Sequence, residues 1–320
     1  MRFLIRRAAR TALILLLISV GSFALIGLMP GDYYTELMLD SKAPSATLAA
    51  LRAEHGLDRA FPERFAAWTA SAVRGDWGLS LFYNVRVGPL VWARARNTLV
   101  LTVAAAIVAW LFAVPAGVWI AANGRAPVRA LSGWSLALLL ATPEVLVVLA
   151  LQFLAVRSGR LPAGGMTSLA AGPNGWWEVA EDLARHLALP VAALALSLLP
   201  ALVMHTASAV SEALAAPFIR AARMHGIPRL RLLYRHALPA AAHPLISLLG
   251  LSLGALLSGS VLVENAMSWP GLGTLMLQAA LQRDINLVAA TLMLSAAFLL
   301  AGNLVSDVLL YAVDPRIRRG

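Results

Sequence analysis

The chain of 320 residues has no cysteine, which excludes a disulfide framework and thiol chemistry. It has one lysine, Lys42, and no Gly-x4-Gly-Lys-Ser/Thr run, so it lacks the phosphate loop with which an ATPase grips its nucleotide. Its histidines, at 55, 186, 205, 225, 236 and 243, never take a His-Glu-x-x-His or similar metal-binding spacing. Only 13% of its residues are charged, about half the share usual in soluble domains. Alternating strands of the membrane-barrel type are missing as well.

Apolar residues are in surplus, at 60% of the chain. Crossing the hydrocarbon of a bilayer takes roughly 20 apolar residues in a helix. Six such runs are present, at about 11–29, 97–121, 131–156, 187–208, 244–263 and 286–310. The first ends in "GSFALIGLMPGD", too long and bulky for a cleavable signal core, and reads as a retained helix. The expected fold is an all-α membrane protein of six transmembrane helices. Its expected divisions are a tail and first helix at 1–29, an extracytoplasmic segment at 30–96, and a five-helix core at 97–320 that includes a cytoplasmic segment at 209–243.

The net charge is +10, which on a soluble protein would suggest nucleic acid. Its distribution points instead to topology. With the N-terminus inside, the inner segments hold 14 arginines, while the short outer segments 157–186 and 264–285 hold 4. The positive-inside rule then places both termini in the cytoplasm. In the long outer segment, Ser45 is a candidate N-cap and Gly56 a stop for one short helix, and Pro62 opens a second with Phe61, Phe65 and Trp68 on its apolar face. Trp176 and Trp177 suit a membrane–water boundary. "SWPGLG" reads as a turn before a short helix.

The passage "EALAAPFIRAARMHGIPRLRLLYRHALP", 212–239, is too elaborate for a connection between spans. Phe218, Ala221, Ala222 and His225 share one helical face, and Arg220 and Arg223 project from the other side. Gly226 stands where a left-handed cap needs it, and Pro228 starts a second helix with a stripe of Leu230, Leu233 and Ala237. Pro239 and Pro244 are expected to stop that helix. By spacing alone this is either a docking element or a helix pair lying on lipid.

Within the spans, Glu144 follows Pro143 near the middle of the third run. A carboxylate there is costly and faces a cavity, a partner or a neighbouring helix. Ser258-Gly259-Ser260, with His205, raises the alternative of an intramembrane serine hydrolase, although small residues in a span more often serve close packing. The small face of the fifth run, Gly250, Gly254, Ser258 and Ser260, either meets a partner subunit or lines a path. Asp307 and Asp314 suit capping or pairing near the end of the sixth. A second alternative, a transporter driven by an ion gradient, would need inverted repeats and several intramembrane charges, and neither is seen.

The basic passage resembles the EAA-type coupling segment of permease subunits in ABC importers of the dipeptide, oligopeptide and nickel branch. "FIRAARMHG" matches its centre and "RHAL" its later part. "FLIRRAARTALILLLISVGSFALIGLMPGD", "RGDWGLSL", "GRLPAGG", "SWPGLG" and "YAVDPRIRRG" extend the resemblance over nearly the whole chain. The resemblance implies a type I importer permease in the inner membrane of a prokaryote that catalyses no covalent step. It implies two cytoplasmic ATPase subunits that bind ATP and Mg, a second permease subunit similar to but distinct from this one, and an extracytoplasmic binding protein. It assigns ATPase coupling to Glu212, Phe218, Arg220, Ala221, Ala222, Arg223 and Gly226. Pro143, Glu144, His205 and Ser258 fall where substrate would pass. Here the chain departs from the family, which often has Ser-Leu-Pro where Ala141-Thr142-Pro143 stands and Arg near Met204–Ala207. The substrate is left open among dipeptides, longer peptides, metal chelates and antimicrobial peptides.

Overall fold

The computed structural model describes residues 2–28, 60–123, 126–159, 161–168 and 175–313, which are mostly helical. The order is α1 (Arg2–Leu28), α2 (Phe61–Val73), β1 (Leu79–Ser80), β2 (Val85–Arg86), α3 (Val87–Ala122), α4 (Ala126–Ala141), α5 (Glu144–Ser158), α6 (Gly175–Ala215) and α7 (Pro217–Met224). A mixed helix follows, made of α8 (Arg229–Arg231), a π-helical stretch (Leu232–Ala237) and α9 (Leu238–Ala240). The chain finishes with α10 (Ala242–Ala266), α11 (Leu272–Leu281) and α12 (Ile285–Val313). Helices α3, α6, α10 and α12 are each long and apolar enough to cross a membrane. At about 1.5 Å per residue, the 36 residues of α3 exceed a hydrocarbon layer about 30 Å thick.

Two compact units divide the chain, Met1–Thr98 with Pro270–Leu300, and Leu99–Trp269 with Ala301–Gly320. In the first, Phe23 of α1 packs on Trp68 of α2, with ring centroids 4.9 Å apart. Pro62 lies in the first turn of α2, as expected, whereas Ser45 and Gly56 lie outside the described residues. A two-stranded hairpin, absent from the sequence reading, pairs Leu79 with Arg86 and Ser80 with Val85. Buried Asp284 anchors it. One carboxylate oxygen accepts from the Ser80 hydroxyl at 2.6 Å and the Phe82 N–H at 3.2 Å, and the other accepts the Leu287 N–H at the start of α12. The Thr98 hydroxyl oxygen accepts the Leu272 N–H at 2.7 Å and so caps α11, the short helix expected after "SWPGLG".

In the second unit, α3 and α6 approach through small side chains. Ala105, Ala109 and Ala113 of α3 are wholly buried, and Ala193 and Ala195 answer them from α6. At Gly117 a Cβ would stand 2.6 Å from the Thr206 Cβ, so only glycine fits. The small face of α10 is partly taken up inside this chain, because Gly250 packs on Ser306 of α12.

The third predicted span is redrawn. The apolar run is not one helix but α4 and α5, bent by 91° at Thr142–Pro143. Pro143 has no N–H for the Leu139 carbonyl, and the Thr142 N–H takes that carbonyl instead, at 3.2 Å. Proline also steers the residue before it away from helical angles. Pro143 is extended (φ −58°, ψ 137°), and Glu144 becomes the first residue of a new helix rather than the middle of a long one.

Candidate functional site

In the segment expected on the cytoplasmic side, α6 ends at Ala215 and Ala216 turns extended (φ −65°, ψ 147°). Pro217 then opens α7, a position where its missing N–H has no helical partner to lose. Ile219 anchors the helix. It is wholly buried among Val118 of α3, Val210 of α6 and Leu232 and Leu233 of the mixed helix, with Ala222 packed partly beside it. Phe218 is 52% exposed, and Arg220, Ala221, Arg223 and His225 are exposed as well. The face expected from the sequence is therefore split: Phe218, Ala221 and His225 look outward, and Ala222 turns in with Ile219.

The turn after α7 is a Schellman cap. Gly226 sits in the left-handed region at φ +77°, its N–H bonds the Arg223 carbonyl at 3.0 Å, and the Ile227 N–H bonds the Ala222 carbonyl at 3.4 Å. Nothing lies within 4 Å of a Cβ placed there, so backbone conformation alone demands the glycine. Pro228, expected to start the second helix, is the N-cap of α8, which begins one residue later at Arg229. Leu230, expected in the apolar stripe, is 72% exposed in the first turn, Leu233 and Ala237 of that stripe are buried as expected, and Leu232 faces inward in place of Leu230. The π-helical stretch supplies the shift, with the Leu238 N–H reaching back to the Leu233 carbonyl. A wider turn there relieves the crowding that Pro239 would impose on the preceding carbonyls of an α-helix. Pro239 and Pro244 lie in the first turns of α9 and α10 and do not stop the helix. The break is at Ala241 (φ −82°, ψ 0°) between them.

Two arginines tie this hairpin to helix ends. The Arg220 guanidinium donates to the Ala215 carbonyl at the end of α6, at 3.3 Å, and that of Arg229 donates to the Ala122 carbonyl at the end of α3. A cation at a helix C-terminus meets carbonyls with no helical partner and the negative end of the helix dipole. The sequence reading had not singled out Ile219 or Arg229. Glu212 is exposed on the last turns of α6.

The second cluster forms around the break at Pro143. Glu144 lines a cavity of about 190 Å³ with Leu194, Ser197 and Leu198 of α6 and Ala255, Leu256 and Gly259 of α10. The Ser197 hydroxyl donates to Glu144 Oε1 at 3.3 Å. A Cβ on Gly259 would stand 3.0 Å from the same oxygen, so the glycine leaves room for the carboxylate. Neither Ser197 nor Gly259 was legible as a partner of Glu144, because the contacts join residues 53 and 115 positions away in sequence. His205 and Ser258 are exposed on α6 and α10 and do not line this cavity, and Pro143 is exposed beside it. The Ser260 hydroxyl bonds the Leu257 carbonyl of its own helix at 2.9 Å, and among the described residues nothing links His205 to Ser258 or Ser260. Among those residues no three potential metal ligands come together.

Residues 113–319 match the family described as the binding-protein-dependent transport system inner membrane component, and residues 1–80 match the N-terminal family of the same systems. The oligopeptide transport system permease protein AppB of Bacillus subtilis is 33% identical over 317 residues, covering 98% of each chain. OppB of Mycobacterium tuberculosis, also named an oligopeptide transport system permease, is 31% identical over 327 residues, 99% of each chain. The glutathione transport system permease GsiC of Escherichia coli is 29% identical over 324 residues, again 99% of each. A solved inward-facing structure of the MetNI methionine ABC transporter shares the fold, with a TM-score of 0.53 at 18% identity over 70% of this chain and 96% of that one. A mostly helical fold with several membrane-length helices, a capped basic helical hairpin and family matches along most of its length lead to one conclusion: the chain belongs to the inner-membrane components of binding-protein-dependent transport systems, as a non-catalytic permease subunit of an ABC importer.

Proposed function

We propose that this permease carries di- or oligopeptides and that its hairpin from α7 to α9 receives the motion of the ATPase subunits. The names of AppB and OppB support the substrate class. The hairpin's geometry supports the coupling role. Ile219 fixes α7 to the bundle, while Phe218, Ala221 and His225 stay uncovered on its far side, shaped to lie in a groove of a partner. ATP and Mg are bound by that partner, and Arg220, Arg223 and Glu212 frame the docking face. A similar second permease subunit completes the path, and an extracytoplasmic binding protein delivers the peptide. Along the path, Glu144 meets the peptide's amino group, held in place by Ser197 and given room by Gly259.

The observation that carries the coupling reading is the left-handed Gly226 cap in open space. Gly226→Val adds no clash but opposes φ +77° by about 1–2 kcal/mol. In proteoliposomes holding the whole transporter, this variant is expected to insert normally and to lose ATP-driven uptake. Uptake at the unsubstituted rate would contradict the reading.

A further inference from the structure

Behind the exposed face of α7 is a cavity of about 540 Å³, and of its lining only Arg223 is also assigned to the docking face. Pockets of about 300–1,000 Å³ hold small ligands. Ala121 and Ala122 at the end of α3, Leu214 near the end of α6, and Leu232 make its walls apolar. Ile227, Leu233, Arg223 and Arg229 complete the lining. Arg229 reaches the Ala122 carbonyl, and the Arg223 guanidinium has no hydrogen-bond or ion-pair partner among the described residues. The one acid of segment 209–243, Glu212, is not part of the lining, so no acid among the lining residues balances the two positive charges.

The positive-inside rule puts the ends of α3 and α6 on the cytoplasmic side, and the lining residues Ala121 and Leu214 stand at or just beyond the ends of the apolar runs 97–121 and 187–208, where the headgroup layer begins. Basic pockets between transmembrane helices on that side suit anionic headgroups. The outward residues Phe218, Ala221 and His225 do not line it, so an ATPase seated on them would leave it open to lipid. We propose that the cavity binds an anionic phospholipid of the inner leaflet. Arg223 and Arg229 hold its phosphate, and the adjoining apolar part of the lipid lies against Ala121, Leu214 and Leu232. Bound there, the lipid joins α7 to the end of α3 through the two arginines and stiffens the hairpin.

The test titrates the delipidated, complete transporter complex with phosphatidylglycerol or phosphatidylcholine and counts bound lipid by native mass spectrometry. Only complexes that retain their ATPase subunits are counted, so a docking defect does not enter the result. The unsubstituted complex is expected to prefer phosphatidylglycerol. The R223Q/R229Q variant is expected to bind it about thirty-fold more weakly. Ala121→Phe, which fills the cavity and keeps both charges, is expected to lose it too. Arg235→Gln, outside the lining, is expected to retain it. Equal binding by the unsubstituted and R223Q/R229Q complexes would overturn the proposal. Equal binding of the two lipids, or displacement of phosphatidylglycerol by millimolar inorganic phosphate, would do the same.

Discussion

The hairpin at Pro217 and the break at Pro143 begin alike and end differently. In each, a proline follows the end of one helix and a new helix starts within a residue of it. At Pro217 the new helix has only eight residues, and one buried side chain, Ile219, fixes it. Its other faces stay open and basic. At Pro143 the new helix continues for 15 residues, and its first side chain is a half-buried carboxylate in a cavity lined by α6 and α10. The same backbone device therefore makes a surface in one place and a lined cavity in the other. What decides is the side chain that the first turn after the proline turns inward and the size of its neighbours, Ile219 against leucines and valines in the first case, Glu144 against serine and glycine in the second.

The largest effect is expected from breaking the surface half of the comparison at its anchor. Ile219→Ala removes a wholly buried side chain, a loss of roughly 2–5 kcal/mol for a buried aliphatic residue. The hairpin should detach, and ATP-driven uptake should fall at least as far as with Gly226→Val. Limited proteolysis near residue 226 would show the detachment as faster cleavage.

The cavity half is next. Glu144→Gln is expected to lower peptide uptake severalfold with membrane insertion unchanged. Gly259→Ala pushes a Cβ to within 3.0 Å of the carboxylate, whose flexible end moves rather than the backbone. It should lower uptake in the same direction, and the double variant should be no worse than Glu144→Gln alone, because residues in contact are not additive. Additive losses in uptake assays would separate Gly259 from Glu144.

The smallest effect is expected at Ser197. Its bond to Glu144 is long, 3.3 Å, and the same hydroxyl also donates to the Ala193 carbonyl at 2.8 Å. Ser197→Ala should change uptake by no more than about threefold, within the roughly 0.5–1.5 kcal/mol of a single hydrogen bond. Affinity for the peptide, read from the concentration dependence of uptake, should shift more than the maximal rate.

The two halves were not equally legible in the sequence. Gly226 could be assigned a left-handed cap because a glycine between a helical face and a proline has few other uses. Pro62 and, to within one residue, Pro228 mark helix starts for a similar local reason. The inward side of α7 was not legible because eight residues fit several apolar faces, and Ile219 was hidden between Phe218 and Arg220. The π-helical stretch shifted a stripe that α-helical spacing had placed on Leu230. The 91° break escaped notice because hydropathy counts apolar residues and is blind to direction. Proline marked the site, but the contacts that hold Glu144 come from residues far away in the chain. Asp284 gave no local signal either, since its role is to join a hairpin at 79–86 to the start of α12.

The most direct test of the central claim uses the absence of cysteine. Ala221→Cys places a single thiol on the outward face of α7, and a short bifunctional cross-linker is applied to the assembled transporter in its membrane. The account predicts a covalent adduct between this chain and an ATPase subunit, and protection of the thiol from a soluble maleimide while the complex is intact. A thiol that reacts freely with maleimide in the intact complex, and forms no adduct with an ATPase subunit, would contradict it.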